Sequence, residues 1–318
     1  MNRVMILYVL RRLTAGLVLA VLVTMITFLL LSTSFDDVAS SVVGNGTTPA
    51  RVQAQKAQMG LDRPLFTQYL DWLSHAIRGD LGLSYFTSEP VRSALAARLG
   101  VTLSIVLAAL LATTLISVVL GVLAATRGGA VDRIAQGVSM VGYLVPNLLI
   151  AIALGYVLAV KLHWFPATGY TPLAENPAGW ASTIAIPVVA LMMSGVAGLT
   201  SQIRGAMIGE LRKDYIRTLR TRGIPTRSIV LRHALRGAAG PALTVLSLEF
   251  IQMLGGALII EQVFALPGFG QYAFNASLQG DIPIIMGISL FGVLLVVCVN
   301  LVVDLVNGWL NPKARVLQ

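Results

Sequence analysis

Long runs without a charged side chain alternate with short charged segments along this chain. A membrane-spanning helix needs about 20 mostly apolar residues, and six stretches reach that length. One of them is interrupted, by Glu249. The pattern predicts an all-α membrane protein with six transmembrane helices, at about 9–34, 99–126, 134–160, 180–204, 238–261 and 282–308.

The first apolar run has two interpretations. It could be a signal peptide, but its apolar stretch is longer than a typical h-region and no clear cleavage site follows it. We therefore interpret it as a permanent span. The chain is then a single transmembrane domain over residues 1–318.

The composition excludes a water-soluble protein. The 318 residues are 56% hydrophobic and 12% charged, with a mean hydropathy of +0.80, whereas soluble domains carry about 25% charged residues. The net charge of +9 would suit a nucleic-acid-binding protein. Because the charges lie between the apolar runs, we expect basic loops beside membrane lipid and no nucleic-acid partner. The single cysteine, Cys298, excludes an intrachain disulfide.

The distribution of Lys and Arg predicts the orientation in the membrane. With a cytoplasmic N-terminus, the inside segments hold 16 of the 23 basic residues and the outside segments hold 7. Cytoplasmic loops are enriched in Lys and Arg. Both termini are therefore predicted to be cytoplasmic.

The outer connection, residues 36–98, is too long to be a simple turn. It contains an amphipathic stretch whose apolar residues recur at helical spacing. Its aromatic members, Tyr69 and Trp72, could bind an external partner, lie on the lipid surface or pack on the protein's own outer rim. The stretch is formed by Leu65, Tyr69, Trp72, Leu73, Ala76 and Ile77.

The cytoplasmic segment at 205–240 predicts a helix, an elbow and a second helix. Asp214 is a good N-cap for a helix through Arg222, and Gly223 suits the position after its end. Pro225 prevents continuation, so a second helix is expected from Thr226 to about Arg236. Such a basic element could anchor the chain to lipid headgroups, or it could be a rigid element that transmits movement.

The segment resembles the cytoplasmic loop of ABC-importer permeases, nearest the dipeptide, oligopeptide and nickel branch. The resemblance rests on Asp214-Tyr-Ile-Arg-Thr-Leu-Arg-Thr-Arg-Gly223 followed by Arg232-His-Ala-Leu-Arg236 and Pro241. The Glu-Ala-Ala of other importers is Arg217-Thr218-Leu219 here. Matching stretches elsewhere extend the resemblance over essentially the whole chain: Leu61-Asp-Arg-Pro64, Gly79-Asp-Leu-Gly82, Phe165-Pro-Ala-Thr-Gly-Tyr170, Glu261-Gln-Val-Phe264, Pro267-Gly-Phe-Gly270 and Asn300-Leu-Val-Val-Asp304.

The resemblance implies the type I ABC importer permease fold in a bacterial cytoplasmic membrane. It also implies a second homologous permease subunit, two ATPase subunits and an extracytoplasmic substrate-binding protein as partners. The first helix of the loop would be the coupling helix that docks on an ATPase. Its contact residues would be Asp214, Tyr215, Arg217, Thr218, Arg220 and Gly223.

Sequence motifs give this chain no catalytic machinery of its own. A P-loop needs Gly-Lys followed by Ser or Thr, and none of the four lysines fits that pattern. His75, His163 and His233 lie in different segments, without a Cys pair that would complete a metal site. We expect a non-enzymatic subunit without cofactor or metal, with ATP and Mg²⁺ bound by the partner ATPases.

Polar residues inside the predicted spans are candidates for the translocation path. Glu249 is costly in a membrane and shares a helical stripe with Gln252 and Gly256. This stripe could line a cavity or form a polar contact with a partner permease. Asn147 follows a proline that bends the third span or lines the path, and Asn300 with Asp304 could tie the last helix to the cytoplasmic loop.

These observations favour one function and leave three rivals open. We predict a permease subunit that forms half of the path of an ATP-driven, binding-protein-dependent importer of di- or oligopeptides. The same family offers nickel or another metal chelate as cargo. The remaining alternatives are a secondary transporter driven by H⁺ through Glu249 and Asp304, and a membrane scaffold without a path.

Overall fold

The computed structural model describes residues 3–44 and 48–310, and it is helical over most of that length. Within these ranges no strand forms, and one isolated bridge joins Leu83 to Pro90. The elements in chain order are α1 (Arg3–Ser32), α2 (Phe35–Val43), α3 (Pro49–Gln58), α4 (Leu65–Ile77), α5 (Val91–Arg127), α6 (Gly129–Leu144), α7 (Asn147–Leu154), a π-helical stretch (Gly155–Lys161), α8 (Pro177–Leu211), α9 (Asp214–Thr221), α10 (Thr226–Ser228), a second π-helical stretch (Ile229–Ala234), α11 (Leu235–Val263), α12 (Phe269–Gln279) and α13 (Ile282–Leu310).

The described helices agree with a multi-pass membrane protein. Five are long and apolar enough to cross a membrane, and a sixth span results if the bent pair α6 and α7 is counted as one. Several helices are longer than the charge-free runs, because charged residues at their ends stay helical. The second begins at Val91 instead of 99, and the fourth runs from Pro177 to Leu211 instead of 180–204.

The third predicted span, 134–160, is not one straight helix. It divides between α6 and α7, whose axes differ by 95°. Pro146 precedes α7, and a proline ring disfavours the α conformation of the residue before it. A bend is therefore present at this proline, and the role of Asn147 in lining the path stays a prediction.

The elbow in the predicted loop 205–240 also differs from its prediction. No second helix ends near Arg236, because helical structure continues from Thr226 to Val263 through the π-helical stretch. The predicted loop 205–240 therefore contains the end of α8, all of α9 and the beginning of the next apolar span. Non-helical turns occur at residues 212–213 and 222–225.

The chain divides into two compact units, and the first lies within residues 1–101 and 268–298. The amphipathic stretch of the outer connection forms α4, as predicted. Its Tyr69 is buried, and the hydroxyl donates to the carbonyl of Val21 at 3.0 Å and lies 3.0 Å from Thr24 Oγ1. Tyr69 thus packs inside its own unit, and Trp72 packs beside it.

A buried carboxylate fixes the start of α13 in this unit. Asp281 is fully buried, and its Oδ2 accepts a 2.5 Å hydrogen bond from Ser84 Oγ. Ser84 Oγ in turn accepts from the backbone N–H groups of Phe86 and Thr87. Burial and the neighbouring Asp281 raise the pKa of Tyr85 to about 12. The contact joins the turn before α5 to the start of α13.

The second unit lies within residues 102–267 and 299–318, and α8 is at its centre. Helices α6, α7 and α11 pack against α8. Asp132 of α6 forms an ion pair with Arg204 of α8, with Arg204 Nη2 2.6 Å from Asp132 Oδ2. Glycines allow the closest approaches, since a Cβ at Gly142 would lie 2.8 Å from the carbonyl oxygen of Met193.

Candidate functional site

The predicted coupling helix exists as α9, a short helix that follows α8 after a two-residue turn. Asp214, predicted as its N-cap, is instead its first residue, and Lys213 takes the capping position with an extended backbone. No side chain caps this end. The carboxylate in the first turn still favours the helix through its interaction with the helix dipole.

The one buried residue of α9, Ile216, anchors the helix to the body of its unit. Ile216 is fully buried in a cluster with Met207 of α8 and Ile229 of the π-helical stretch. An eight-residue helix is too short to be stable alone in water. The attachment of Ile216 therefore holds α9 in a helical conformation and fixes its position.

A Schellman motif ends the helix. The N–H of Gly223 donates to Arg220 at 3.0 Å, and that of Ile224 donates to Leu219 at 3.2 Å. Gly223 has a φ of +74°, which glycine adopts without steric penalty. Ile224 and Leu219 both pack against the cluster around Ile216, as the motif favours. The elbow angle is thus set by defined backbone hydrogen bonds.

The predicted contact residues of α9 are accessible. Tyr215, Arg217, Thr218, Arg220 and Gly223 are exposed, as is Asp214. Arg217 lies 3.8 Å from Asp214, with both side chains at least 80% exposed, so this pair contributes little stability. The structure brings these residues to one exposed element.

Glu210 supports α9 from the end of α8, and sequence reasoning did not find it. Its carboxylate accepts from Lys213 Nζ at 2.5 Å and from the Tyr215 hydroxyl at 3.0 Å. A Cβ at Gly237 of α11 would lie within 2.8 Å of the same carboxylate. Burial and the hydrogen bond to Glu210 raise the pKa of Tyr215 to about 12. The available signal was that Glu210 is, with Asp214, one of two acids in a basic segment.

Glu249 lies between helices of its own chain. It is buried on α11 and faces Gly195 and Gly198 of α8. A Cβ added at Gly195 would lie 3.0 Å from Oε2 of Glu249, and one added at Gly198 would lie 3.0 Å from Oε1. The hydroxyl of Tyr143 lies equally close to the Gly198 position. These two glycines therefore provide the space that the carboxylate occupies.

The other path candidates do not share this environment. Gln252 is exposed, whereas Gly256 is half-buried beside Leu191 of α8. Glu249, Gln252 and Gly256, which were predicted to share one face of the helix, therefore differ in exposure: the first is buried and the second is exposed. Asn147, at the start of α7, lies 3.4 Å from the hydroxyl of Ser194 on α8.

Asn300 and Asp304 lie one turn apart near the end of α13, and both are half-buried. A further buried acid, Glu261, accepts a 2.5 Å hydrogen bond from Thr102. Sequence reasoning did not select Glu261 as a site residue, although its place at the end of an apolar run was a signal. Among the described residues, no cluster of His, Cys, Asp and Glu could hold a metal ion.

Two family models match this sequence. The model for the binding-protein-dependent transport system inner membrane component matches residues 117–316. The model for the N-terminal part of the same kind of membrane component matches residues 5–106. Together they cover most of the chain.

Relatives match over nearly their whole length. A relative from Brucella abortus, named as a peptide transport system permease protein, is 34% identical over 308 residues, covering 96% of this chain and 98% of the relative. A relative from Sinorhizobium fredii, named as a peptide ABC transporter permease, is 35% identical and covers 97% of this chain and 99% of itself. The oligopeptide transport system permease protein AppB of Bacillus subtilis is 30% identical, with 96% and 98% covered.

A solved structure agrees with the fold. A chain of the MetNI methionine ABC transporter in an inward-facing conformation aligns with a TM-score of 0.57 at 15% identity, covering 71% of this chain and all of that one. In this family the ATPase is a separate subunit. The chain belongs to the family of binding-protein-dependent transport system inner membrane components, the multi-pass inner-membrane permeases of ABC importers.

Proposed function

We propose that this permease imports di- or oligopeptides and docks an ATPase through the exposed face of α9. Family membership and the peptide names of the relatives support the cargo class, and no observation favours nickel or H⁺ coupling over it. One observation carries the docking assignment. The exposed side chains of α9 stand on a short helix that Ile216 and a Schellman motif hold in one position.

In this proposal the chain forms part of the translocation path, and ATP hydrolysis takes place in other subunits. A second homologous permease forms the other half of the path, and an extracytoplasmic binding protein delivers cargo. Two ATPases bind ATP and Mg²⁺ and close on each other, which moves both coupling helices and switches the path between inward- and outward-facing states. Shifting such an equilibrium from 1:99 to 99:1 needs about 5.5 kcal/mol of differential binding.

Polar residues of the spans have separate roles in this proposal. Glu249, Gln252 and Gly256 on α11, with Asn147 at the start of α7, contribute to the translocation path. The exposure of Gln252 supports contact with the path or with the second permease. Asn300 and Asp304 tie the end of α13 to the cytoplasmic side.

Uptake by the complete importer in proteoliposomes tests the function. We expect labelled dipeptide to accumulate only with ATP and the binding protein, and unlabelled dipeptides to compete. A nickel chelate should not compete, and dissipating the proton gradient should not stop uptake. Competition by the chelate alone would assign metal cargo, and dependence on the gradient without ATP would contradict the ABC mechanism.

Cysteine labelling tests the proposed orientation with both termini inside. In a Cys298→Ser background, we expect Gln53→Cys to react with a membrane-impermeant maleimide in intact cells. Thr221→Cys should react only after the cells are opened. Both positions are exposed in the structure, so access to the reagent decides the result. The reverse pattern would place α9 outside and exclude its contact with a cytoplasmic ATPase.

A further inference from the structure

Glu210 stands where three helices of the second unit meet. It lies one residue before the end of α8, and its side chain is 12% exposed. Its Oε1 accepts from Lys213 Nζ at 2.5 Å, and its Oε2 accepts from the hydroxyl of Tyr215 on α9 at 3.0 Å. The same carboxylate lies against Gly237 of α11, where a Cβ would be 2.7 Å from Oε1 and 2.8 Å from Oε2. One side chain of α8 therefore contacts both α9 and α11.

The hydrogen bond to Glu210 adds a direction to the apolar attachment of α9. Ile216 packs in a cluster with Met207 of α8, and the neighbouring Tyr215 donates to Glu210. Residues three apart in a helix lie on the same face, so the last turns of α8 present an apolar and a polar attachment point to α9. An apolar contact alone would let a short helix rotate about it. The hydrogen bond at a second point opposes that rotation and fixes α9 relative to α8.

The contact at Gly237 has a counterpart elsewhere along the same pair of helices. There Glu249 of α11 faces Gly198 of α8, and a Cβ at Gly198 would lie 3.0 Å from its Oε1. Glu210 follows Gly198 by twelve residues, and Glu249 follows Gly237 by twelve, so the two contacts lie about 18 Å apart along both helices. The antiparallel helices α8 and α11 are therefore joined at two levels, each time by a carboxylate of one helix against a glycine of the other.

This arrangement gives α9 a direct connection to both helices. Close-packed elements transmit displacement because they leave little free space to absorb it. A displacement of α9 would act through the Tyr215 hydroxyl on Glu210, and through Glu210 on α8 and α11 together. The other contact of the same two helices contains Glu249, which is a proposed part of the translocation path.

We propose that Glu210 is a positioning residue that fastens α9 to α8 and α11 and transmits the movement of a docked ATPase to the helix contact at Glu249. The transmission rests on the proposed docking of α9, whereas the fastening of α9 does not. Glycine is required at residue 237, because a Cβ there would displace the carboxylate of Glu210 from Tyr215.

Hydrogen exchange of the full chain in detergent tests the fastening. Gly237→Ala should make the amides of α9 exchange about tenfold faster, because α9 loses a hydrogen bond to a charged group. Alanine is a better helix former than glycine, so a weaker α11 would not be the cause. In the control Gly209→Ala on α8, the Cβ meets no atom within 4 Å, and α9 should exchange as in the unaltered chain. Unchanged exchange in Gly237→Ala would show that Glu210 does not fasten α9.

ATP hydrolysis by the assembled importer tests the transmission. Gly237→Ala and Glu210→Leu should each lower the ratio of cargo-stimulated to basal hydrolysis about tenfold, while the ATPases stay bound. The double variant should be no worse than either single variant, because both changes break the same contact, whereas independent defects would add. Glu210→Gln keeps an acceptor for the Tyr215 hydroxyl and should retain more stimulation than Glu210→Leu.

Three results in the assembled importer would contradict this role of Glu210. Normal stimulation despite faster exchange in α9 would make Glu210 a structural contact only. Loss of the ATPases from the Gly237→Ala complex would assign Glu210 to docking, and additive losses in the double variant would indicate separate defects. Failure of the proposed docking is recognised independently, because Arg217→Glu would then retain the ATPases, whereas exchange of α9 in the isolated chain needs no ATPase.

Discussion

Replacing Gly223 with valine is expected to lower cargo-stimulated ATP hydrolysis by the assembled importer about tenfold. The residue has a φ of +74°, and a β-branched side chain in that conformation costs about 1–2 kcal/mol or more. The added Cβ itself meets no atom within 4 Å, so backbone strain is the cause. Either the elbow changes its angle or the last turn of α9 opens.

Gly205→Val on α8 is the control for this change. Gly205 also has open space around its Cβ position, but its φ is negative. It should keep near-normal stimulation. Equal loss in both variants, or none in Gly223→Val, would contradict the assigned role of the elbow.

Reversing the charge of Arg217 separates docking from lipid anchoring. Arg217→Glu should weaken ATPase retention in detergent micelles, since its side chain stands on the exposed face of α9. A headgroup anchor needs anionic lipid, so its loss would leave the complex normal in micelles and defective only in bilayers. Normal retention and stimulation in micelles for both Gly223→Val and Arg217→Glu would exclude α9 as the coupling element.

Replacing Glu249 with glutamine should lower transport about tenfold while the complex stays assembled. Glutamine keeps the shape that fills the space beside Gly195 and Gly198, whereas it removes the negative charge. A hydrogen bond from cargo to a charged carboxylate would be worth about 1.5–3 kcal/mol, so its loss corresponds to about tenfold or more. Uptake and gel filtration of the same preparation give both readouts.

Two companion variants decide between charge and packing at this position. Glu175→Gln makes the same chemical change at an exposed residue of the turn before α8 and should transport normally. Glu249→Ala should lower transport and leave assembly intact if the charge matters. If Glu249→Gln transports normally while Glu249→Ala disrupts assembly, the residue has a packing role only.

The sequence predicts the spans well because a charge inside a bilayer is costly, so charge-free runs show where the chain crosses. It places their ends poorly. Arg92 and Arg98 lie within α5, since charged residues are compatible with a helix that continues beyond the membrane. The π-helical stretch at Ile229–Ala234 has no local signal, because packing and not side-chain preference decides such a shift in hydrogen bonding.

The proposed coupling element was partly predictable from the sequence for similar reasons. Gly223 and Pro225 have backbone preferences that depend on the residue type alone, so they mark a turn in the sequence. The structure has the expected turn, with a positive φ at Gly223. Asp214 was displaced by one position, because an acidic residue suits both the cap and the first turn. The contact of Glu210 with Gly237 could not be predicted, because it joins α8 to α11 and the packing of two helices is not evident from the sequence.

Amphipathicity also leaves a question that only packing answers. The spacing of Tyr69 with its apolar neighbours identifies a buried side of α4, but not what covers it. The structure supplies the backbone of α1 as the partner of the hydroxyl. A sequence pattern thus selects the side of a helix and leaves its neighbour undetermined.

In the proposed docking of α9 on an ATPase, the attachment through Ile216 assigns folding and partner choice to different residues. Ile216, Leu219 and Ile224 face the protein, so their replacement would alter the fold. The exposed Arg217 and Arg220 beside them carry little structural constraint, unlike Tyr215 and Gly223, and are free to diverge with the surface they meet. Exchanging the exposed residues of α9 between two permeases would then exchange the ATPases that they recruit, while both proteins fold as before.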